Sequence, residues 1–379
     1  MSSKYHLVVY GAGLVGGYIS GMVAASKEAD VTLICRDTLA KAIANNGNLL
    51  QATKCFDARG KPVVSREPVS AKVESPSLNL VSDPMSSGGG LLAVKARGVP
   101  VQWLLVTMKR ISVQTALQEL KGAGFDEETR DREGEAWFWK DTTVVMMQNG
   151  VTPSQILLDT LGTSLNVIDA MFPFNVTHAE NNPAHFIEGS TGTVYISDTP
   201  QGQHLAQVLT KAGIETATHH DMAAIQYGKL FLNLNNAVSA LSGEPLKKEL
   251  SQFQYRNVLS RCMNEALAVF AKAGIKPHSF TGMPFSAISL FMVSPDFIFN
   301  NTFGLVMGIG DSATSSMYED LAAKRDTEID FLQGHISELG RLHGVPTPTC
   351  DRIVTLVKDI QQRKVGLVPH TGQEILSML

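Results

Sequence analysis

The chain has 379 residues, 44% of them hydrophobic and 18% charged, with a formal net charge of -4 at neutral pH. That length is too great for one ordinary core and points to two or three domains. The charge balance argues against a nucleic-acid partner and against an acidic disordered chain.

The chain starts with one lysine ahead of the run Leu7-Val8-Val9, which leads directly into glycines, so it does not read as a signal peptide. Tyr5 to Tyr10 reads as a strand, Tyr18 to Ser26 as a helix and Val31 to Cys35 as a second strand. Between the first strand and the helix stand Gly11, Ala12, Gly13, Leu14, Val15 and Gly16, a GxGxxG spacing. In that position glycines allow a tight turn, close approach of a pyrophosphate and close packing of helix on strand. The helix N-terminus then offers N–H donors to the phosphates. The residue after the second strand is Arg36 rather than an acidic group, followed by Asp37. An arginine there pairs with a ribose 2′-phosphate, so NADPH/NADP+ is expected over NAD.

Further strands are expected at Val101–Thr107, Thr143–Met147, Leu165–Ala170 and Val194–Ser197, giving an α/β fold with a mostly parallel, doubly wound sheet. Two stretches interrupt the alternation. Residues 83–98, with Ser86-Ser-Gly-Gly-Gly90, read as a loop or inserted turn. Residues 122–135, with a dense run of charges, read as a solvated excursion. Trp103, Trp137 and Trp139 read as packing anchors. His219-His220-Asp221 resembles a metal or triad fragment but lacks a third ligand, and reads as hinge or surface.

From about Asp221 helical patterns take over: Ala223–Leu241, Gln254–Ala273, Ser315–His343 and Cys350–Arg363, with Gly344-Val-Pro-Thr-Pro348 as a stop. The expected division is a Rossmann domain over 1–219 and an all-helical domain over 220–379. The apolar stretch Phe285–Ile309 is broken by Pro295, Asp296, Asn300 and Asn301, too short in its pieces to span a bilayer, and reads as buried helix or subunit contact. The four cysteines are scattered without a CxxC pair or metal spacing, so no metal is expected and the thiols read as reduced and buried in a cytoplasmic protein.

Lys229, Asn233 and Asn236 fall at i, i+4 and i+7 among Leu230, Phe231, Leu232 and Leu234, which places them on one face of an apolar helix. Three polar side chains there are costly unless they line a polar cavity. Ser316 and Glu328, twelve residues apart, would share a face if one helix carried both.

Taken in order, the Gly11–Gly16 loop, Val106-Thr-Met-Lys109, Gln148-Asn149-Gly150, Lys229-Leu-Phe-Leu-Asn233 and Ser315-Ser-Met…Thr327-Glu-Ile-Asp330 resemble the ketopantoate reductase (2-dehydropantoate 2-reductase) family, as does Gly344–Pro348. The resemblance covers most of the chain outside the two interruptions. It implies NADPH-dependent reduction of the C2 carbonyl of a 2-oxo acid, namely 2-dehydropantoate to pantoate in pantothenate biosynthesis. It also implies roles. Lys229 matches the catalytic proton donor and Glu328 the glutamate supporting the site. Lys109 matches a lysine near the cofactor. Asn149, Asn233 and Ser316 match polar positions that contact substrate or cofactor. Asn236 departs from the pattern: its asparagine follows the lysine by seven residues, where some members have eight. Two alternatives stand beside this reading: a paralogue acting on another 2-oxo acid, and a non-catalytic NADP-binding sensor. A sensor has no need of Lys229 and Glu328 together. The expected partner is a small 2-oxo acid, and a homodimer through the C-terminal helical domain is allowed.

Overall fold

The structure, a computed structural model, describes residues 5–57, 61–63, 67–75, 77–82, 89–306 and 313–379, with the backbone alone over 303–306. The chain divides into two compact units. Met1–Gln148 and Thr152–Met222 make the first; Asn149–Val151 and Ala223–Leu379 make the second.

Twelve strands are described in the first unit: β1 (His6–Tyr10), β2 (Asp30–Cys35), β3 (Leu49–Thr53), β4 (Val69–Lys72), β5 (Leu78–Ser82), β6 (Trp103–Val106), β7 (Thr143–Met146), β8 (Val167–Met171), β9 (Val176–Ala179), β10 (Asn182–Glu188), β11 (Val194–Ser197) and β12 (Thr216–His219). Eight form one sheet in the order β12-β11-β8-β7-β6-β1-β2-β5. Its pairings are parallel except that of β11 with β8. Short runs such as His6-Leu-Val-Val-Tyr10 suit this sheet because both faces are covered. Leu7, Val9, Leu33, Leu105 and Val145 point into one apolar cluster, while Val8, Tyr10, Ile34, Leu104 and Val106 point into another. The chain leaves β1 for β2 and later returns to its other side with β6, so strand order reverses at β1. Ligands of open α/β sheets bind outside the carboxyl ends of strands at such a reversal.

A second sheet, β4-β3-β10-β9, has no counterpart in the sequence reading. Its strands are short and half exposed, and β3 pairs with β10 through Gln51↔His185, a match that no local pattern announces. This sheet covers the outer side of the helix Leu14–Ser26, whose residues from Gly16 to Ala24 are all buried. Gly17 makes the fit: a Cβ there would lie 2.1 Å from the Phe186 ring of β10.

Each interruption of the first unit contains a helix among the described residues. Residues 83–88 lie outside the described set, but Gly89–Ala96 is a helix that buries Leu91 and Val94. Glu127–Glu133 is also a helix, capped by Asp126, whose carboxylate accepts from Thr129 N at 2.9 Å. Its charges face water, but Phe125 before it and Trp137 and Trp139 after it are buried against one another. The stretch 122–135 is therefore anchored in the core and not a free excursion. His219, His220 and Asp221 close β12: the two rings stack, and Asp221 N donates to His219 Nδ1 at 3.0 Å.

Among the described residues the second unit contains no strand. The long helix Phe253–Ala273 runs through its core, packed by Phe285–Met292, Gln333–His343, Pro348–Arg363 and Gly372–Met378. Phe285–Ile309 is neither one helix nor uniformly buried. It contains Phe285–Met292 and Asp296–Val306, and Leu290 and Phe297 stand exposed. Residues 307–309 lie outside the described set.

Two long helical readings are corrected. Ala223–Leu241 is two helices, Met222–Asn233 and Asn235–Ser242, parted at Leu234. Ser315–His343 is a short helix, Ser316–Ala322, then a 3-10 turn at Ile329–Phe331 and a helix from Gln333. The first of these ends as Lys324 takes a left-handed backbone, φ +56°, and Arg325 folds back on Asp320 at 3.1 Å. Ser316 and Glu328 therefore do not share a helix face.

Candidate active site

The first unit carries a dinucleotide cradle. Gly11 has φ +103°, and a Cβ there would sit 2.7 Å from Met108 N. A Cβ on Gly16 would sit 2.5 Å from Thr107 Oγ1. Both glycines thus let the β1 loop close against the loop after β6, and Thr107 Oγ1 donates to Gly11 O at 2.6 Å. Ala12 N is tied back to Ile34 O at the end of β2. Gly13 is different: nothing lies within 4 Å of the Cβ it lacks. That open side, beside the start of the helix at Leu14, fits the approach of a pyrophosphate. The first-turn amides of Leu14, Val15 and Gly16 have no preceding turn to bond to, and no acidic residue occupies that turn.

Arg36 leaves β2 exposed, at the N-cap of the helix Asp37–Asn45. Asp37 is engaged elsewhere, its Oδ1 accepting from Ser82 Oγ at the end of β5. Arg36 and Asp37 are both exposed at the end of β2. Lys109 is exposed and precedes the 3-10 turn Arg110–Ser112 on the loop that follows β6. Gln148 Nε2 donates to Val106 O at 2.8 Å, pinning the end of β7 to that of β6.

The second unit carries a polar cluster. Lys229 and Asn233 stand one turn apart on Met222–Asn233. Lys229 is half buried, and burial pulls its ammonium pKa down to about 8. Asn236 sits beyond the break at Leu234, where its Nδ2 meets Ser316 Oγ at 3.3 Å. Ser315 caps the short helix after it, accepting from Tyr318 N and donating to Asn236 O, both at 3.1 Å. Glu328 is buried and accepts from Asn149 Nδ2 at 3.0 Å. Thr327 fixes that segment, its N and Oγ1 both donating to Gln361 Oε1. The structure therefore joins Asn149 to Glu328 and Asn236 to Ser316, and puts Lys229 and Asn233 on one helix face.

Two buried polar groups of this unit, Gln333 and Glu249, and the half-buried Asn235 have no counterpart in the sequence reading. Gln333 Nε2 donates to Leu234 O at 2.7 Å, and Asn235 Nδ2 donates to Glu249 Oε2 at 3.1 Å. Burial pushes the Glu249 carboxyl up to about 8. Nothing local in the sequence separates these side chains from solvated ones.

With this geometry in hand, comparison with known proteins gives a consistent answer. Residues 7–201 match the ketopantoate reductase PanE/ApbA family and residues 221–361 its C-terminal part. The 2-dehydropantoate 2-reductase of Mesorhizobium japonicum is 25% identical over 93% of this chain and 96% of its own. A PanE/ApbA family ketopantoate reductase from Ralstonia eutropha JMP134 superposes with a TM-score of 0.67 at 24% identity, covering 95% of this chain and 99% of that one. D-mandelate dehydrogenase, in a ternary complex with NADH and anilino(oxo)acetate, does so with a TM-score of 0.68 at 20% identity and the same coverage. The two halves of the chain, dinucleotide cradle and helical unit, are thus matched in order along nearly its whole length, and the chain belongs to the ketopantoate reductase family of oxidoreductases.

Proposed function

We propose that the protein is an NADPH-dependent 2-oxo acid reductase acting in the cytoplasm, with 2-dehydropantoate as substrate and pantoate as product. The observation that carries the chemistry is Lys229, a half-buried lysine whose burial brings its pKa to about 8 on the same helix face as Asn233. When bound, the reduced nicotinamide supplies a hydride to the C2 carbonyl. The Lys229 ammonium stabilises the negative charge that grows on the carbonyl oxygen and gives that oxygen its proton. A pKa near 8 keeps it largely protonated at neutral pH while easing the transfer. Glu328, which accepts from Asn149, keeps the cluster ordered. Asn233, Asn236 and Ser316 bind the substrate's carboxylate and hydroxyl as neutral donors and acceptors.

The first unit supplies phosphate contacts at Gly11–Gly16, the 2′-phosphate contact at Arg36 and a further contact at Lys109; Asn149, of the second unit, is a further cofactor contact. Preference for NADPH is supported by Arg36, which stands exposed at the end of β2 where a ribose 2′-phosphate would be met. No helix among the described residues is long and apolar enough to cross a membrane. The reading includes a homodimer through the helical unit, supported by exposed Leu290 and Phe297 and checked by sedimentation.

Fold similarity to D-mandelate dehydrogenase favours a second reading, the same reaction on another 2-oxo acid. Turnover of 2-dehydropantoate against a panel of branched and aromatic 2-oxo acids decides between them. The highest kcat/KM on 2-dehydropantoate supports the first reading, and a hundredfold preference for an aromatic acid supports the second.

A further inference from the structure

The helix that carries Lys229 and the helix that carries Asn236 are parted by a single residue, Leu234. No glycine or proline stands there, and Leu234 itself stays near helical geometry, with φ -57° and ψ -22°. Local sequence therefore gives the break no reason, and its cause has to come from a contact made elsewhere in the unit. What meets it is a side chain from elsewhere in the same unit. Gln333 Nε2 donates to the Leu234 carbonyl at 2.7 Å.

Gln333 is fully buried, at 0% exposure. An amide removed from water costs free energy unless its groups are bonded. The Gln333 Oε1 atom has no hydrogen-bond partner among the described residues, so the bond to Leu234 is what the buried amide gains there. On the far side of the break, Asn235 Nδ2 is tied to Glu249, itself fully buried. The two consecutive residues at the break are thus gripped by two different buried side chains.

The location of Gln333 adds the functional link. It opens the helix Gln333–His343 directly after the 3-10 turn that begins beyond Glu328. The segment 328–333 therefore bonds Asn149 with its first residue and Leu234 with its last. We propose that Gln333 is a positioning residue for the reduction: its amide clamps the helix break so that Lys229 and Asn233 on one side, Asn236 and Ser316 on the other, and Glu328 keep one mutual arrangement. The inference rests on the reading of Lys229 as the proton donor. Misplacement of a reacting group by about 1 Å costs on the order of a hundredfold in rate, so a loosened break is felt in turnover before it is felt in binding.

The test uses the full-length protein. Gln333→Met keeps the length of the side chain and removes the donor; Gln333→Asn keeps the amide but shortens its reach. Each is measured for kcat and KM on the best 2-oxo acid, for NADPH affinity, and for amide hydrogen exchange over residues 230–238. The clamp predicts that Gln333→Met loses about tenfold or more in kcat with NADPH affinity unchanged, and exchanges faster across the break. It predicts that Gln333→Asn recovers part of the lost kcat. If Gln333→Met does not fold, Gln333→Asn carries the comparison, with a smaller kcat loss and faster exchange than wild type across the break. Wild-type kcat in either folded variant overturns the proposal, as does a kcat loss with unchanged exchange at the break. Lys229→Ala measured alongside separates the two claims: full activity in that variant refutes the proton-donor reading, and leaves the exchange data to judge the clamp.

Discussion

Replacing Lys229 by methionine should make the protein more stable and almost inactive. The side chain keeps its length and apolar stem and loses only the ammonium. In the folded chain that ammonium has its pKa lowered from 10.5 to about 8 by burial. A displacement of that size corresponds to at most about 3 kcal/mol of folding free energy lost at pH 7. The sign follows from which state holds the proton. Below about pH 8 folded and unfolded chains both carry the charge, and the full cost is present. Between about 8 and 10.5 the folded chain has released a proton that the unfolded chain keeps, so stability rises with pH. Above that window the cost is gone. Lys229→Met should therefore exceed the wild type by up to about 3 kcal/mol in urea unfolding at pH 7, with the gap closing towards pH 10.5. Its kcat should fall by about 10²–10⁴-fold, the usual contribution of a general acid, and the alkaline limb of the wild-type rate profile near pH 8 should vanish. A variant less stable than wild type at pH 7, or a stability gap that ignores pH, would refute the reasoning that burial of this charge is a cost accepted for function.

Other outcomes follow from other parts of the structure. Arg36→Ala should weaken NADPH binding by about ten- to hundredfold and leave NADH nearly unchanged; equal losses in a titration of both cofactors would remove Arg36 from the 2′-phosphate. Glu249, with its carboxyl pushed up to about 8 by burial, holds a proton between about pH 4.5 and 8 that the unfolded chain releases, so stability should fall as pH rises through that window. Glu249→Gln should flatten the fall in a melting series, and an unchanged slope would place the effect elsewhere. Deleting residues 122–133 removes Phe125 from its contacts with Trp137 and Trp139, and the core loss of about 3–5 kcal/mol should show as a lowered unfolding midpoint; an unaltered midpoint would mean that the aromatic cluster contributes nothing.

What the sequence disclosed follows the range of the forces involved. The opening strand, glycine turn and helix are written locally, in a valine run and in glycines whose missing side chains leave room for the turn and for helix-on-strand packing. The residues of the polar cluster were legible from spacing and resemblance, because a lysine among leucines is conspicuous. Their arrangement was not. Leu234 is no helix breaker by composition, and the side chains that meet the break, Gln333 at Leu234 and Glu249 at Asn235, come from ninety-nine and fourteen residues away. Glu328 and Ser316 are legible as residues, but the turn that keeps them off one helix is not: Ala322-Ala323-Lys324 carries no stop signal, and the turn is closed by Lys324 N on Leu321 O and by Arg325 on Asp320. The second sheet is lost for the same reason: Leu49–Thr53 finds its partner at His185–Ile187, and short half-exposed strands show no period strong enough to announce themselves. The helix Gly89–Ala96 was hidden by its two leading glycines, although Leu91 and Val94 give it a buried side.

The central claim is that Lys229 protonates the carbonyl oxygen of a 2-oxo acid as NADPH is consumed. The most direct measurement is single-turnover oxidation of NADPH by wild-type protein and Lys229→Ala, each loaded with cofactor and mixed with 2-dehydropantoate, across pH 6 to 10. The account predicts a rapid wild-type reaction that fails above about pH 8, and a variant that binds NADPH normally but reacts about 10²–10⁴-fold more slowly with no alkaline limb. Equal single-turnover rates for the two proteins would contradict it.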